Sequence, residues 1–484
     1  MTNWQPRLDR EAALKVIESS LAENPDDVAI QFEHACLLTS VGRIEEAKQA
    51  YLKILSGDPT HLGTLNNLGA LLNNTGYRSA ARTVYRQAVT HHADDPTAHV
   101  NLANLLLEEN DFGAARAHYE EVLRLDPDQA QAHQGMTRIF SGMRDEASAR
   151  RHRERGFRNQ AVVTLPYLGK APPVQLLLLV AADGGNIPVR QHIDNHIFMT
   201  TAIFADFYGP KKPLPPHHLV FNTIGDADLC RPALEAAVKL LAGTTAPVLN
   251  PPQKVIQTGR LDNAQRLAGL TGVKTAKTLL LSKEKILQQR GLHFPLLLRA
   301  PGFHTGQHFV KVDEPAQLAS AVAQLPGAEL LVMEYLDARG ADGLARKYRV
   351  MMINEKLYPL HLAISNDWKV HYFTAAMSGQ PQHQAEEKKF LEDMNSAVGA
   401  RGMAGLERIK DTLGLDYGGV DFGLDAEGNI LLFEANATMV INPPDADEQW
   451  VYRRAAIDRA VQAVHEMLLK RANTVNGILQ GNMV

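Results

Sequence analysis

Small residues and tyrosines recur through the first third of the chain at a fixed interval of 34 residues. Ala35, Gly69 and Ala103 stand one interval apart, as do Ala47, Ala81 and Ala115, and as do Tyr51, Tyr85 and Tyr119. Pro59 and Pro127 fall two intervals apart, at equivalent ends. A small residue at a fixed place in each unit lets two helices cross closely, and an aromatic fills the next groove. The register reaches upstream to Ala13 and Pro25, a half unit, and downstream to Thr137 and Ala149, where Arg153 takes the aromatic position. That last unit reads as a polar cap. One such unit cannot bury its own apolar face, so the units are expected to stack into a solenoid with a concave groove.

The period and the pattern resemble the tetratricopeptide repeat, a helix-turn-helix unit. The resemblance implies an all-α solenoid over residues 1–160. In that family the inner helix lines the groove. Asn66, Asn67, Asn73, Asn101 and Asn104 lie on the first helices of two units. They are expected to hold the backbone of a peptide or protein partner; plain helix-surface polarity is the alternative. A second role for the repeats is to pair two copies of the chain as a homodimer. Arg150, Arg151, Arg153, Arg155 and Arg158 read as the solvated face of a last helix.

Composition narrows the partners. The chain of 484 residues has room for two to four domains, and its net charge is −4. A near-balanced charge predicts no bulk nucleic-acid or anionic-membrane binding. Two cysteines, Cys36 and Cys230, offer no disulfide framework and suit a reducing, cytoplasmic setting. Residues 1–7 lack an apolar signal core, and the most apolar run, Val174 to Ala182, is far short of a membrane span.

Past the linker Leu165–Pro173, strands alternate with helices. Gln175–Val180, His218–Asn222 and Pro247–Asn250 read as strands; Val189–Tyr208 and Pro232–Leu241 read as helices. This pattern predicts a small parallel α/β domain over 161–255, with its crevice near Asp183–Arg190 and Asn222–Asp228. A third domain, 256–484, carries the charged motifs. Phe294–Arg299 reads as a strand ending in a cation, with Gly302 and Gly306 in the turn that follows. Free backbone N–H groups beside a cation suit phosphate. Glu329–Asp337 reads as a strand entering a hinge, and Lys347–His361 as a hairpin turning at Asn354–Glu355, with Lys347 and Arg349 on one face.

The stretch Tyr417–Pro444 brings hard oxygen donors together. Two apolar runs flank Asp425-Ala-Glu-Gly-Asn429, which is hairpin punctuation. Asp421 falls on the first strand. Glu434 and Asn436 share a face of the second. Two carboxylates and an amide oxygen suit Mg2+ that keeps places for water and phosphate oxygens. A surface hairpin with solvated acids is the plain alternative.

From Val174 to Leu468 the order of these segments resembles the ATP-grasp enzymes, similar to glutathione synthetase and the D-alanine ligases. The resemblance implies an α/β pre-ATP-grasp domain followed by an α+β ATP-grasp fold. Asp421 and Glu434-Ala-Asn436 match the family's metal signature, implying two Mg2+ ions that bridge ATP phosphates. Met333 through Leu336 match the adenine hinge, with Glu334 the polar contact beside Tyr335 and Leu336. Arg349 matches the arginine that meets the γ-phosphate or acyl phosphate. Arg260 and Arg299 stand where the family usually carries lysine, and arginine can still bind phosphate bidentately. His304 and Thr305 interrupt the expected glycine-rich turn. The implied reaction is ATP-dependent joining of a carboxylate to an amine, on a small-molecule or peptide substrate. A non-catalytic nucleotide-binding scaffold and an ATP-grasp kinase are the rival readings. Arg190, His361, His371 and the loop Thr438–Pro444 are candidate substrate contacts.

Overall fold

The computed structural model describes residues 7–481 apart from 110, 144, 159, 190–191, 304–305, 371–374, 376 and 442–447. The expectations placed on Arg190, His304, Thr305, His371 and residues 442–444 therefore lie outside the described residues. The chain divides into two compact units. One comprises the residues up to Val174 with Asn195–Phe207, the other Gln175–Asp194 with Tyr208 onward.

The first unit is built from helices α1 (Arg7–Glu23), α2 (Val28–Val41), α3 (Ile44–Gly57), α4 (Leu62–Asn74), α5 (Arg78–His91), α6 (Pro96–Glu108), α7 (Phe112–Leu125), α8 (Ala130–Met143) and α9 (Glu146–Phe157). Asp27, Asp95, Asp111 and Asp145 start four of them, each side chain accepting a backbone N–H of the first turn. The 34-residue spacing is a packing rule. Ala47, Ala81, Ala115 and Ala149 are fully buried, and so, nearly, are Tyr51, Tyr85 and Tyr119. Each tyrosine ring needs a facing residue without bulk. A Cβ at Gly69 would lie 2.4 Å from the Tyr85 ring, and one at Gly135 would lie 2.1 Å from that of Tyr119.

Four of the five asparagines, Asn66, Asn67, Asn101 and Asn104, are engaged within the unit. Asn67 Nδ2 donates to Cys36 Sγ, Asn101 Nδ2 donates to Asn66 Oδ1, and Tyr119 Oη donates to Asn104 Oδ1 at 2.6 Å. Two histidine pairs repeat at the same period. His99 and His133 are buried. Their Nε2 atoms lie 2.9 Å from the carbonyls of Ala93 and Pro127, and their Nδ1 atoms face His118 and His152 Nδ1 at 3.0 and 2.8 Å. Nε2–H donates to the carbonyl in each case, so Nδ1 accepts from the partner ring. Beyond α9, strands β1 (Val162–Thr164) and β3 (Phe198–Phe204) pair antiparallel, and Phe157 packs on Phe204 at 4.5 Å. Helix was expected over Val189–Tyr208. The run Phe198-Met-Thr-Thr-Ala-Ile-Phe204 is a strand instead, because its β-branched and aromatic residues suit a pleated surface.

In the second unit β2 (Val174–Val180), β4 (Leu219–Asn222) and β5 (Val248–Leu249) run parallel, with α10 (Arg231–Leu240) between the last two. Then follow α11 (Pro252–Val255), α12 (Arg260–Arg266), β6 (Val273–Thr275), β7 (Thr278–Ser282), α13 (Lys283–Gln288), β8 (Leu296–Arg299), β9 (Phe309–Val312), α14 (Leu318–Gln324) and β10 (Glu329–Glu334). The chain continues through β11 (Ala345–Ile353), β12 (Lys356–Ser365), α15 (Pro381–Glu392), α16 (Met394–Leu413), β13 (Tyr417–Leu424), β14 (Ile430–Asn436) and α17 (Arg454–Gly481). Two sheets result. One has the order β7-β10-β8-β9, the other β12-β11-β13-β14-β6. The chain is thus a helical-repeat region followed by a mixed α/β region. Among the described residues no helix is long and apolar enough to cross a membrane.

The repeat packing can be tested at its glycines and its histidines. Gly135→Ala should cost about 1–3 kcal/mol by overpacking against Tyr119, whereas Gly142→Ala, with nothing within 4 Å of the added methyl, should be neutral or slightly stabilising. Thermal melting of the two variants distinguishes them, and equal effects would refute the packing rule. Burial, the largest cause, holds His118 and His133 below their ordinary value of 6.5 and His152 at about 4. The unfolded chain then binds more protons than the folded one between these values, so repeat stability should fall as pH drops from about 6.5 toward 4. Melting curves across that window check it, and replacing His118 and His152 by glutamine should flatten the dependence.

Candidate functional site

Strand pairing assembles the site. On β11 the period of two puts Lys347 and Arg349 on one face. Arg349 lies opposite Asp421 on β13, and Asp421 opposite Glu434 on β14. Three charged side chains from three adjacent strands therefore form a row across the sheet. Arg349 Nε and Nη2 donate to the two oxygens of Asp421 at 2.6 and 2.8 Å, and Lys347 Nζ is 3.2 Å from Oδ2. Asp421 is 2% exposed. Burial alone would raise its pKa, but Arg349, Lys347 and the hydrogen bond from Arg349 outweigh burial and hold it well below the usual carboxylate range. Burial opposes the charge on Arg349 likewise, and Asp421 overcomes it.

Glu434 has a second cation. Arg260, at the start of α12, donates from Nη2 to Glu434 Oε1 at 2.7 Å and lies 3.5 Å from Asp228. Asn436 Nδ2 donates to the same Oε1 at 3.0 Å, and Asn436 Oδ1 accepts from Thr438.

The β7-β10-β8-β9 sheet contributes the facing wall of a cavity of about 360 Å³. Of the residues singled out in the sequence, Arg260, Arg299, Gly306, Glu334, Tyr335, Leu336, Lys347, Arg349, Asp421 and Glu434 line it. Gly302 is not among the lining residues. Asn436 lines an adjoining cavity of about 50 Å³, together with Arg260 and Glu434. His361 is buried on β12, opposite Arg349. Burial first, then Arg349, holds its pKa well below 6.5.

The sequence reading missed Arg346, Trp368 and Lys369, which also line the larger cavity. Trp368-Lys369 follows β12 directly, and an aromatic beside a cation at a strand end was the available signal. Arg346 is committed to Asp342 and Glu386. Arg299 and Lys369 have no carboxylate partner among the described residues. Arg299 donates to the carbonyl of Phe303 and lies over the ring of Phe309 at 5.2 Å. Burial, then the charge of Arg260, pushes Arg299 down to about 10. Burial and Arg299 lower Lys369. Two desolvated cations that repel one another make a seat for an anion. The lining also carries the apolar residues Leu297, Met333, Leu432, Trp368 and Val370.

The oxygens of Asp421, Glu434 and Asn436 have the hard-donor chemistry of a Mg2+ site. Arg349 and Arg260 are the counter-ions of the two carboxylates. A divalent cation at the same oxygens has to displace those guanidiniums, which then face whatever anion accompanies it. The residues fit the ion on that condition.

Residues 61–90 and 78–139 match profiles of the tetratricopeptide repeat. The helical region is a tetratricopeptide-repeat array. Such repeats generally bind protein partners. Similar solved structures include MamA, residue 41 to its end, from Desulfovibrio magneticus RS-1, which is 20% identical, with 30% of this chain and 81% of that one covered at a TM-score of 0.28. A tetratricopeptide repeat protein from Parabacteroides merdae ATCC 43184 is 18% identical, covering 31% of this chain and 59% of that one at a TM-score of 0.28. A thermophilic tetratricopeptide repeat protein from Thermus thermophilus is 18% identical, covering 31% of this chain and 83% of that one at a TM-score of 0.27. No curated protein matches the chain.

The buried pair yields a double-mutant prediction. Arg349→Met leaves the Asp421 carboxylate without its main counter-ion and should cost about 3–5 kcal/mol. Arg349→Met combined with Asp421→Leu removes both charges and should be less destabilising than Arg349→Met alone. Melting of the three proteins tests this, and additive losses would contradict the pairing.

Proposed function

We propose that the second unit is an ATP-grasp, ATP- and Mg2+-dependent carboxylate–amine ligase. We further propose that the repeat array recruits its peptide or protein partner. The observation that carries the enzyme reading is the larger cavity. Its apolar lining residues, Leu297, Met333, Leu432, Trp368 and Val370, suit a base, with Glu334, Tyr335 and Leu336 on the same lining. The same lining presents Arg299 and Lys369, cations without carboxylate partners among the described residues, together with Asp421 and Glu434. A volume of about 360 Å³ is in the range of small-molecule sites.

In this reading Arg260, Arg299 and Lys369 bind the phosphates, and Gly306 lets the turn between β8 and β9 approach them. Mg2+ held by Asp421, Glu434 and Asn436 would neutralise phosphate charge as the phosphoryl group moves. The acid substrate's carboxylate oxygen attacks the γ-phosphorus, the bond to the β–γ bridging oxygen breaks, and ADP leaves. Arg349, freed from Asp421, and Lys347 steady the phosphoryl oxygens of the resulting acyl phosphate. A neutral amine then attacks the acyl carbon. Phosphate departs with the C–O electron pair, and the amide nitrogen gives up a proton. No enzyme nucleophile is required.

The repeats support recruitment through their general habit of binding proteins, although Asn67, Asn101 and Asn104 already have partners inside the array. A bound partner would raise the effective concentration of a tethered substrate.

The deciding experiment is a screen of acids and amines for substrate-dependent ADP release, with mass detection of the product. The ligase reading expects a joined product lighter than the sum of its parts by one water. A product that only gains phosphate would identify a kinase instead. Glu434→Gln should lower ADP release at limiting Mg2+ by about tenfold or more with an unchanged circular dichroism spectrum; unchanged release would remove Glu434 from the site.

A further inference from the structure

The oxygens expected to hold a cation are engaged by the protein itself. Asp421 Oδ1 accepts from Arg349 Nε at 2.6 Å; Oδ2 accepts from Arg349 Nη2 at 2.8 Å and lies 3.2 Å from Lys347 Nζ. Glu434 Oε1 accepts from Arg260 Nη2 and Asn436 Nδ2 at 2.7 and 3.0 Å. Asn436 Oδ1 accepts from the Thr438 backbone N–H and hydroxyl at 3.0 and 2.9 Å. A metal ion therefore competes with Arg349, Lys347 and Arg260 for the same lone pairs.

Arg349 is the strongest of these competitors. Its guanidinium meets a carboxylate that is 2% exposed, through two N–H groups on two oxygens, a geometry that a point charge cannot reproduce. Its other cross-strand neighbour, on β12, is His361. A displaced guanidinium thus meets no second carboxylate directly opposite it. The wider surroundings also oppose a lone cation. Among the described residues the larger cavity is lined by six lysine and arginine side chains and three carboxylates, an excess of three positive charges. A divalent ion arriving alone would raise that excess and release Arg349 and Arg260 into the same space. An ion arriving with a polyphosphate lowers it, and the phosphate oxygens offer the released guanidiniums bidentate partners.

We propose that Arg349 is a built-in competitor for the metal, so that the Asp421 oxygens open to a divalent cation only when a polyphosphate enters with it and takes over the guanidinium. The ligand of this site is then a metal–polyphosphate complex bound as one unit, and the free ion is excluded. That the complex is Mg2+ with ATP rests on the ligase reading. The competition rests only on the pairing of Arg349 with Asp421. It keeps the row of charges closed and compensated until both halves of the ligand are present.

The test uses the full-length chain with manganese chloride as the probe, alone and with inorganic tripolyphosphate; Mn2+ suits the same hard oxygens. Water-proton relaxation reports immobilised Mn2+. Arg349→Met combined with Asp421→Leu, which lacks the central carboxylate, sets the background from surface acids. In the native chain Mn2+ alone should give only that background, whereas Mn2+ with tripolyphosphate should bind above it. Arg349→Met should bind Mn2+ without any anion about tenfold or more tightly than the native chain does, the scale of a charge-assisted hydrogen bond. Mn2+ should also raise the melting temperature of that variant. Arg349→Lys, which keeps a charge and loses the fork, supplies the same comparison if Arg349→Met does not fold, and its Mn2+ affinity should also exceed that of the native chain. Mn2+ binding above background by the native chain without anion, or Mn2+ binding no tighter in the folded Arg349 variant than in the native chain, would overturn the proposal. So would equal Mn2+ binding by the native chain with and without tripolyphosphate. No acid, amine or turnover enters the readout. The ligase reading can therefore fail in the ADP-release screen with the competition intact, and anion-free Mn2+ binding by the native chain would remove the competition and leave the ligase reading standing.

Discussion

The candidate site in the second unit depends on a buried ion pair. Asp421 sits on a central strand of the β12-β11-β13-β14-β6 sheet with almost no solvent contact, and an uncompensated carboxylate there would be very costly. Arg349 compensates it because β11 and β13 pair in a register that sets the two residues opposite one another. A slip of one residue would send one of them to the other face of the sheet. The pair thus depends on the strand register and gives the site its geometry. It also sets a condition on function. Any cation that takes the Asp421 oxygens frees a guanidinium at the same moment, which would couple cation binding to anion binding at this site.

How much of this was legible in the sequence depends on whether a feature is local or is completed in space. The repeats were legible because their packing rule is written at a fixed interval. Gly69 falls where Tyr85 needs space, and Ala35 and Ala103 stand at the same place one period away on either side. The hairpins were legible because their turns are short and their punctuation is chemical, as at Asn354–Glu355 and Asp425–Asn429. The helix expected over Val189–Tyr208 failed because a short apolar run does not declare its own period. Its strand character comes from pairing with β1, far back in the chain.

The site was legible in part for the same reason. Residues that carry recognisable motif chemistry, such as Asp421, Glu434 and Arg349, could be singled out one by one. Their mutual pairing could not, since it depends on strand register. Lys369 was invisible as a functional candidate. Lys369 acquires meaning only from its closeness to Arg299. Conversely, the groove asparagines carried a plausible role in sequence, and the fold turns Asn67 and Asn104 to internal bonds with Cys36 and Tyr119.

The central claim is that the larger cavity holds a nucleoside triphosphate with Mg2+. The most direct measurement is amide hydrogen exchange on the full-length chain, with and without Mg2+ and a non-hydrolysable ATP analogue. The account predicts slowed exchange in the hinge Glu334–Leu336, in the turn between β8 and β9, and along β11 and β14, with the repeats unaffected. No slowing in these segments at saturating analogue, or slowing confined to others, would contradict it.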